Sequence, residues 1–265
     1  MSTAYLIGKP VQHSMSPAMH NAAFAALGLP HRYTAVEVDE ADLRATIGRW
    51  RTEDTLGGNV TVPHKEAVLR MMDEVDDEAR AIGAVNTVIR RGSRLVGANT
   101  DAYGFARSIE GVASGGTVLV LGAGGAARAC VRVLLQRGDT VLVANRSAAR
   151  AEALARAIEV DGRRPSVVPW PPRGRSLGIE TVVNATPLGL HGEDPLEDVE
   201  LPANVVDIVP TATETPLVKR ARSREHGAVV DGLAMLLHQA ARAFGLWTGV
   251  EAPLAVMRAA LPRSV

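Results

Sequence analysis

The stretch 118–147, VLVLGAGGAARACVRVLLQRGDTVLVANRS, constrains the fold more than any other part of the chain. It opens with Val118-Leu119-Val120-Leu121, an apolar run of strand length without polar alternation, as in a strand buried on both faces. A small-residue turn follows, Gly122-Ala123-Gly124-Gly125-Ala126. Ala127, Val131 and Leu134 then recur at helical spacing, and Gly138 is the helix stop. A second apolar run, 140–144, returns as a strand. Two buried strands joined by a helix form a βαβ unit, which builds a parallel sheet with helices on its faces.

The turn suits an anion. Gly122 permits a tight exit from the strand, and Gly124 and Gly125 let a ligand approach backbone N–H groups with no Cβ in the way. The helix N-terminus behind them favours negative charge. A strand before the glycines, a helix after them and a second strand in place make this a dinucleotide fingerprint, where a lone glycine spacing would be weak. The alternative is a glycine turn that only lets a helix pack close to a sheet.

The end of the second strand selects the cofactor. An NAD site usually places a carboxylate there to bind the ribose 2′-OH. This chain has Asn145-Arg146-Ser147, with Arg150 one turn further on. Guanidinium groups and a hydroxyl suit a 2′-phosphate, so NADP is the expected cofactor. An ordinary solvated helix start is the alternative reading.

The first hundred residues also alternate strand and helix but carry no glycine fingerprint. Strands are expected at 4–7, 33–38 and 57–62, and helices at 18–27, 39–51, 64–72 and 76–82. A hairpin is expected from 84–90 and 94–98, turning at Arg91-Gly92-Ser93. Ser16 followed by Pro17 reads as a hydroxyl N-cap with proline at the first helical position. Asn99-Thr100-Asp101 caps a helix over 102–110. Residues 111–116 form a glycine- and serine-rich joint. Beyond the βαβ unit, 169–178 is too rich in proline and glycine for regular structure. Strands are expected at 181–184, 205–208 and 228–230, a helix at 216–226, and helix again over the last thirty-odd residues with a break at Gly249.

The fold class is therefore α/β with two domains and a cleft between them. Residues 1–101 with 238–265 make a substrate domain, and 102–237 a dinucleotide-binding domain. Lys+Arg and Asp+Glu both count 29, so no net field recruits nucleic acid or an anionic membrane. Cys130 is alone in the sequence and reads as core filler in a reducing compartment. The N-terminal MSTAYLIGKP lacks the charged and apolar regions of a secretory signal, and no apolar run reaches membrane-spanning length. A cytoplasmic protein is expected, a monomer or homodimer, with a small-molecule substrate and no metal.

Polar residues gather at the expected strand ends of the first half: Ser14, Ser16, Asn59, Thr61, Lys65, Asn86, Thr100 and Asp101. Spacing alone does not show that they converge, and caps or turns explain each singly. Together with the second half, however, the segments HSMSP, NVTVPHKE, GAVNT, NTDAYG, GAGGAARA, NRSAAR, NATPLG and DGLAMLLHQA resemble the shikimate dehydrogenase family, in its order and spacing from Gly8 to about Gly249.

The resemblance implies a Rossmann-like cofactor domain and NADP-dependent interconversion of shikimate and 3-dehydroshikimate. It implies that Ser14 and Ser16 hold the substrate carboxylate, and that Asn59, Thr61, Asn86 and Gln239 bind its hydroxyls. Lys65 and Asp101 would be the catalytic pair. Gly122, Ala123, Gly124, Gly125 and Ala126 would hold the pyrophosphate, and Asn145, Arg146, Ser147 and Arg150 the adenosine phosphate. Asp77, Thr186, Ile208, Gly232 and Met235 match cofactor positions, although a helix-start acid explains Asp77 equally well.

The chemistry fits these residue types. Hydride delivery to a ketone leaves charge developing on oxygen, which a cation stabilises and a mobile proton completes. Lys65 can do both as an ammonium, with Asp101 orienting it and accepting a substrate hydroxyl. Which of the two carries the proton is open at this level. One departure stands out: the family typically has tyrosine where this chain has Pro210, so one substrate contact would be missing. Quinate or aminoshikimate as substrate, or a ligand-sensing relative without turnover, are the competing readings.

Overall fold

A computed structural model describes residues 1–52, 54–172, 178–224 and 227–262. The chain divides into two compact units. Among the described residues, 1–103 with 237–262 form the first, and 104–236 the second.

In chain order, the first unit begins with β1 (Thr3–Gly8), α1 (Ser16–Ala26), β2 (Arg32–Glu37) and α2 (Glu40–Arg49). It continues with β3 (Thr55–Val60), α3 (Lys65–Leu69), β4 (Glu74–Val75), α4 (Asp77–Ile82), β5 (Thr87–Arg91) and β6 (Arg94–Ala98). Helix α5 (Asp101–Ser108) carries the chain into the second unit. The sheet order is β2-β1-β3-β5-β6-β4. β1 runs parallel to β2 and β3, while β5 is antiparallel to both β3 and β6. Register then matters for function. Asn59 pairs with Thr87, and Thr87 with Ala98, so the end of β3, the start of β5 and the end of β6 share one edge. The hairpin turns at Gly92, whose φ of 64° is cheap only for glycine. Ile7, Leu43, Ile47, Trp50, Val60, Val68, Val88 and Leu95 form the core on one side of this sheet.

The second unit holds β7 (Thr117–Leu121), α6 (Gly125–Gln136), β8 (Thr140–Ala144), α7 (Ala148–Ala157), β9 (Ser166–Val168), β10 (Thr181–Asn184), β11 (Asn204–Asp207), α8 (Pro216–Arg222) and β12 (Val229–Val230). Helix α9 (Gly232–Thr248) runs back into the first unit, followed by α10 (Leu254–Ala259). All six strands are parallel, in the order β12-β11-β10-β7-β8-β9. This is the doubly wound order: the chain adds β8 and β9 on one side of β7, then crosses back to add β10, β11 and β12 on the other. Ligands of such sheets bind outside the carboxyl ends at that point. β7 and β10 are buried almost throughout, which is why their sequences show no alternation.

Three sequence expectations need correction. Ser16 is the first helical residue rather than the cap of α1, and Met15 in the cap position makes no side-chain bond. The hydroxyl that serves the helix start is Ser14 Oγ, which accepts from Ser16 N at 3.3 Å. β4 and β9 were not expected, because one is two residues long and the other is an edge strand with no buried residue. The helix expected over 64–72 is only Lys65–Leu69, as the chain turns at 70–71 to reach β4. Of the proline-rich 169–178 segment, 173–177 lies outside the described residues. So does His226, at the expected end of α8. Among the described residues no helix is long and apolar enough to cross a membrane.

Candidate active site

The shared edge of the first sheet gathers the polar residues. Lys65 Nζ donates to Asp101 Oδ2 at 2.6 Å, with the side chains only 12% and 6% exposed. Lys65 opens α3 and Asp101 opens α5, two helices that leave from the ends of β3 and β6. The other carboxylate oxygen, Asp101 Oδ1, accepts from Asn86 Nδ2 at 2.9 Å. Asn86 also donates to Thr100 Oγ1 at 3.0 Å, and its Oδ1 accepts from Thr100 N at 2.7 Å. Both faces of the Asn86 amide are thus assigned, which fixes the orientation of Asp101 and through it the ammonium.

The network extends further along the same edge. Thr87 Oγ1 lies 3.0 Å from both Asn86 Oδ1 and Thr100 Oγ1. Asn59 Nδ2 donates to Thr87 Oγ1 at 3.0 Å and to the Asn86 carbonyl at 3.2 Å. Asn59 Oδ1 accepts from the Tyr33 hydroxyl at 2.8 Å. Asn59, Asn86, Thr87, Thr100 and Asp101 are all buried. Buried polar groups cost stability unless paired, so a cluster of this size is tolerated only because its members satisfy one another. Burial also pushes the Tyr33 phenol above its ordinary value, so it acts as a fixed donor.

The remaining first-unit candidates other than Asp77 border this cluster. Gln239, on α9, is buried, and its Oε1 accepts from Thr100 Oγ1 at 3.5 Å. Thr61 is half-buried on the turn between β3 and Lys65. That turn packs against Gly8, where a Cβ would fall 2.3 Å from Thr61 Cγ2 and 2.8 Å from the Val62 carbonyl oxygen. Gly8 therefore has to be glycine for the turn to seat. His64, buried beside Lys65, ties the turn to the end of β2 through its Nε2 and the Val38 carbonyl at 2.7 Å. Ser14 and Ser16 stand at the start of α1, and Ser16 is buried close to the Tyr33 hydroxyl. Asp77 lies in the first turn of α4 and is exposed, away from these hydrogen bonds.

The second unit carries the dinucleotide candidates. Gly122 has φ 111°, and a Cβ there would sit 2.8 Å from the Ala185 carbonyl oxygen. Gly124 precedes α6 with open space before its Cα, so backbone donors at the helix start are accessible to an anion. Ala123 is buried and Ala126 half-buried at the same turn. Asn145 follows β8 and donates to the Ser147 carbonyl at 3.0 Å. Ser147 caps α7, its Oγ accepting from Arg150 N at 3.4 Å, which leaves the hydroxyl proton available to a ligand. Arg146 and Arg150 are exposed beside it.

Thr186 sits on the loop after β10, with Oγ1 donating to Asn184 Oδ1 at 2.7 Å. Ile208 is the residue after β11 and is half-buried. Gly232 begins α9 against the 209–210 peptide, where a Cβ would lie 2.4 Å from the Val209 carbonyl. Met235, one turn on, is buried.

Sequence reasoning missed Tyr33 and Thr87. In sequence, Tyr33 reads only as a strand residue. The signal was available, since an inward-facing tyrosine on an alternating strand needs a buried acceptor. Thr87 sits inside GAVNT, but only the antiparallel register of β5 shows that it faces Asn59.

Comparison with known proteins gives this geometry a context. Residues 6–88 match the model of the shikimate dehydrogenase substrate binding domain. Residues 105–165 match that of shikimate / quinate 5-dehydrogenase, and 232–261 that of the shikimate 5′-dehydrogenase C-terminal domain. A shikimate dehydrogenase (NADP(+)) of Symbiobacterium thermophilum is 46% identical over 271 residues, covering 96% of this chain and 92% of the relative. The crystal structure of shikimate 5-dehydrogenase from Thermus thermophilus, in complex with NADP(H) and shikimate, is 36% identical with TM-score 0.85, covering 98% of both chains. A ligand-free 5-ketofructose reductase of Gluconobacter sp. strain CHM43 is 30% identical with TM-score 0.83, covering 98% of this chain and 97% of the other. With full-length relatives at this identity and all three domain models matched in order, the chain belongs to the shikimate dehydrogenase family.

Proposed function

We propose that the chain is an NADP-dependent oxidoreductase interconverting 3-dehydroshikimate and shikimate, a step of aromatic amino acid biosynthesis. The observation that carries this reading is the buried Lys65–Asp101 pair, held by Asn86 at the sheet edge that also carries Asn59. Ser14 and Ser16 offer hydroxyls and a helix start to a carboxylate. Asn59, Thr61, Asn86 and Gln239 surround the place where ring hydroxyls would lie.

NADP supplies the hydride acceptor or donor. The glycine turn from Gly122 to Ala126 suits its pyrophosphate, because Gly124 leaves open space before the α6 backbone donors. Asn145, Arg146, Ser147 and Arg150 suit its 2′-phosphate. Asp77, Thr186, Ile208, Gly232 and Met235 complete the proposed cofactor contacts, with Asp77 resting on the family pattern alone.

In the reductive direction a hydride reaches the carbonyl carbon, and the Lys65 ammonium stabilises the oxygen as charge builds there. Lys65 then gives that oxygen a proton, leaving the neutral amine to recover one from solvent. In the oxidative direction the neutral amine takes the alcohol proton as the hydride leaves carbon. Asp101 orients Lys65 and accepts a second ring hydroxyl. Proton transfer of this kind contributes about 10²- to 10⁴-fold to rate. The enzyme works in the cytoplasm as a monomer or homodimer, and the balanced net charge supports a small-molecule substrate over nucleic acid or membrane.

The test is NADPH formation with shikimate, quinate and aminoshikimate at fixed NADP. Turnover highest on shikimate is the expected result. Preference for quinate or aminoshikimate would reassign the substrate, and NADP binding without turnover on any of them would make the chain a sensor. Pro210 is exposed just beyond β11. If the absent tyrosine weakens substrate binding, Pro210→Tyr lowers the KM for shikimate; an unchanged KM means neighbouring contacts already compensate.

A further inference from the structure

The ends of β10 and β11 carry a buried network that the proposed chemistry does not use. Asp207, the last residue of β11, has no exposed surface. Its Oδ1 accepts from Asn184 Nδ2 at 2.9 Å and from Val209 N at 3.1 Å. Its Oδ2 accepts from Thr215 Oγ1 at 2.7 Å. The donors belong to three segments: the end of β10, the chain leaving β11, and the start of α8.

The segment after β10 packs on the dinucleotide turn, and the one after β11 packs on Gly232. Asn184 passes the constraint on, since its Oδ1 accepts from Thr186 N at 3.1 Å and Thr186 Oγ1 at 2.7 Å. Its amide also donates to the Leu188 carbonyl at 2.9 Å. Glu193 closes the same loop from the far side, accepting from Gly189 N at 3.0 Å and His191 N at 3.1 Å. Ala185, between Asn184 and Thr186, is the residue packed against Gly122. Val209 forms the peptide packed against Gly232.

A buried carboxylate is a costly way to hold two loops if stability is the only purpose. Burial pushes the Asp207 carboxyl up to about 6, and its donors from Thr215, Val209 and Asn184 work against that rise. The charged group that adds to the upward shift is Asp194, which is itself engaged by the Arg220 guanidinium at 2.9 Å. The charge sits at the carboxyl end of β11, beside Asn184 at the end of β10 and one strand from the β10–β7 crevice where sheets of this order take ligands.

We propose that Asp207 is a positioning residue for the dinucleotide: by gathering Asn184, Val209 and Thr215 it holds the Ala185–Thr186 loop against the glycine turn and the 209–210 peptide against Gly232, and so sets cofactor affinity. The proposal rests on the NADP reading above.

The experiment measures the Kd for NADP by titration, and the KM for NADP and for shikimate, in wild type, Asp207→Ala, Asp207→Asn and Thr215→Val. Asparagine keeps an Oδ1 for Asn184 and Val209 and can donate to Thr215, so its Kd stays within about threefold of wild type. Alanine removes every acceptor and raises the Kd for NADP by about tenfold or more, with the KM for shikimate unchanged. Should the alanine variant fail to fold, Thr215→Val removes one donor and gives a smaller rise in the same direction, about threefold. A purely structural role would lower the melting temperature and leave both constants alone. A folded Asp207→Ala or Thr215→Val with wild-type Kd for NADP overturns the proposal while leaving the cofactor reading intact. Wild-type protein that binds no NADP overturns both.

Discussion

Replacing Asp101 with asparagine tests the site with almost no change in shape. Asp101 accepts two hydrogen bonds, one from Lys65 Nζ at 2.6 Å and one from Asn86 Nδ2 at 2.9 Å. Both partners are donors. An asparagine can offer its oxygen to only one of them and must set its own NH₂ against the other. Asn86 cannot relieve the clash by flipping, because its Oδ1 already accepts from Thr100 N at 2.7 Å. The variant therefore removes the ammonium's anion in either orientation, and sets the new NH₂ against either the ammonium or the Asn86 amide donor. Losing one member of a buried pair costs about 3–5 kcal/mol, and the slight exposure of Lys65 argues for the lower end. At about 2–4 °C per kcal/mol for a chain of this size, the melting temperature falls by roughly 6–12 °C. Turnover falls by about 10²- to 10⁴-fold, as the proton donor is no longer held in place. The Kd for NADP should not change, since the glycine turn and its arginines belong to the other unit. Differential scanning calorimetry, steady-state rates and an NADP titration on one preparation read all three. Wild-type turnover in Asp101→Asn would refute the reasoning.

Further outcomes follow from the same geometry. Lys65→Met keeps most of the side-chain volume and should lower turnover by at least ~10²-fold while NADP still binds; an unchanged rate in a steady-state assay removes Lys65 from the chemistry. Arg146→Ala should raise the KM for NADP and leave that for NAD nearly untouched, because only NADP carries the 2′-phosphate, and equal effects on both would dismiss the proposed clamp. His20 is fully buried against the rings of Tyr33, Phe244 and Trp247, and neither ring nitrogen has a hydrogen-bond partner among the described residues. Burial lowers its pKa from 6.5 to about 3. The unfolded chain thus takes up a proton near 6.5 that the folded one refuses, so stability is full above that pH and falls away below it. By pH 5 the loss is about 2 kcal/mol. His20→Phe should flatten that acid limb in urea titrations at pH 5 and pH 8, whereas an unchanged limb would show that His20 does not govern it.

The cofactor unit was the more legible half. β7 and β10 are buried on both faces, so their apolar runs stand out, and Gly122 and Gly124 punctuate the turn between β7 and α6. What sequence could not give there was Asp207, because its meaning depends on β10 lying beside β11 and bringing Asn184 within reach. The first unit was harder for a similar reason. Lys65, Asn86 and Asp101 are spread over thirty-odd positions and are joined only by the antiparallel pairing of β5 with β3 and β6. Single-residue reasoning gave each of them a cap or turn, and for Ser16 it gave the wrong one. Family resemblance supplied the convergence that periodicity could not. β9 and β4 went unseen because neither buries a side chain fully, and hydrophobic pattern is blind to strands held by backbone alone.

The most direct measurement is a crystal structure of the chain with shikimate bound. The expected result places the carboxylate at Ser14 and Ser16 and a ring hydroxyl within hydrogen-bond distance of Lys65 Nζ, with the Asp101–Asn86 bond intact. A ring bound elsewhere, or a Lys65 side chain turned to solvent while shikimate occupies the edge of the sheet, would contradict it.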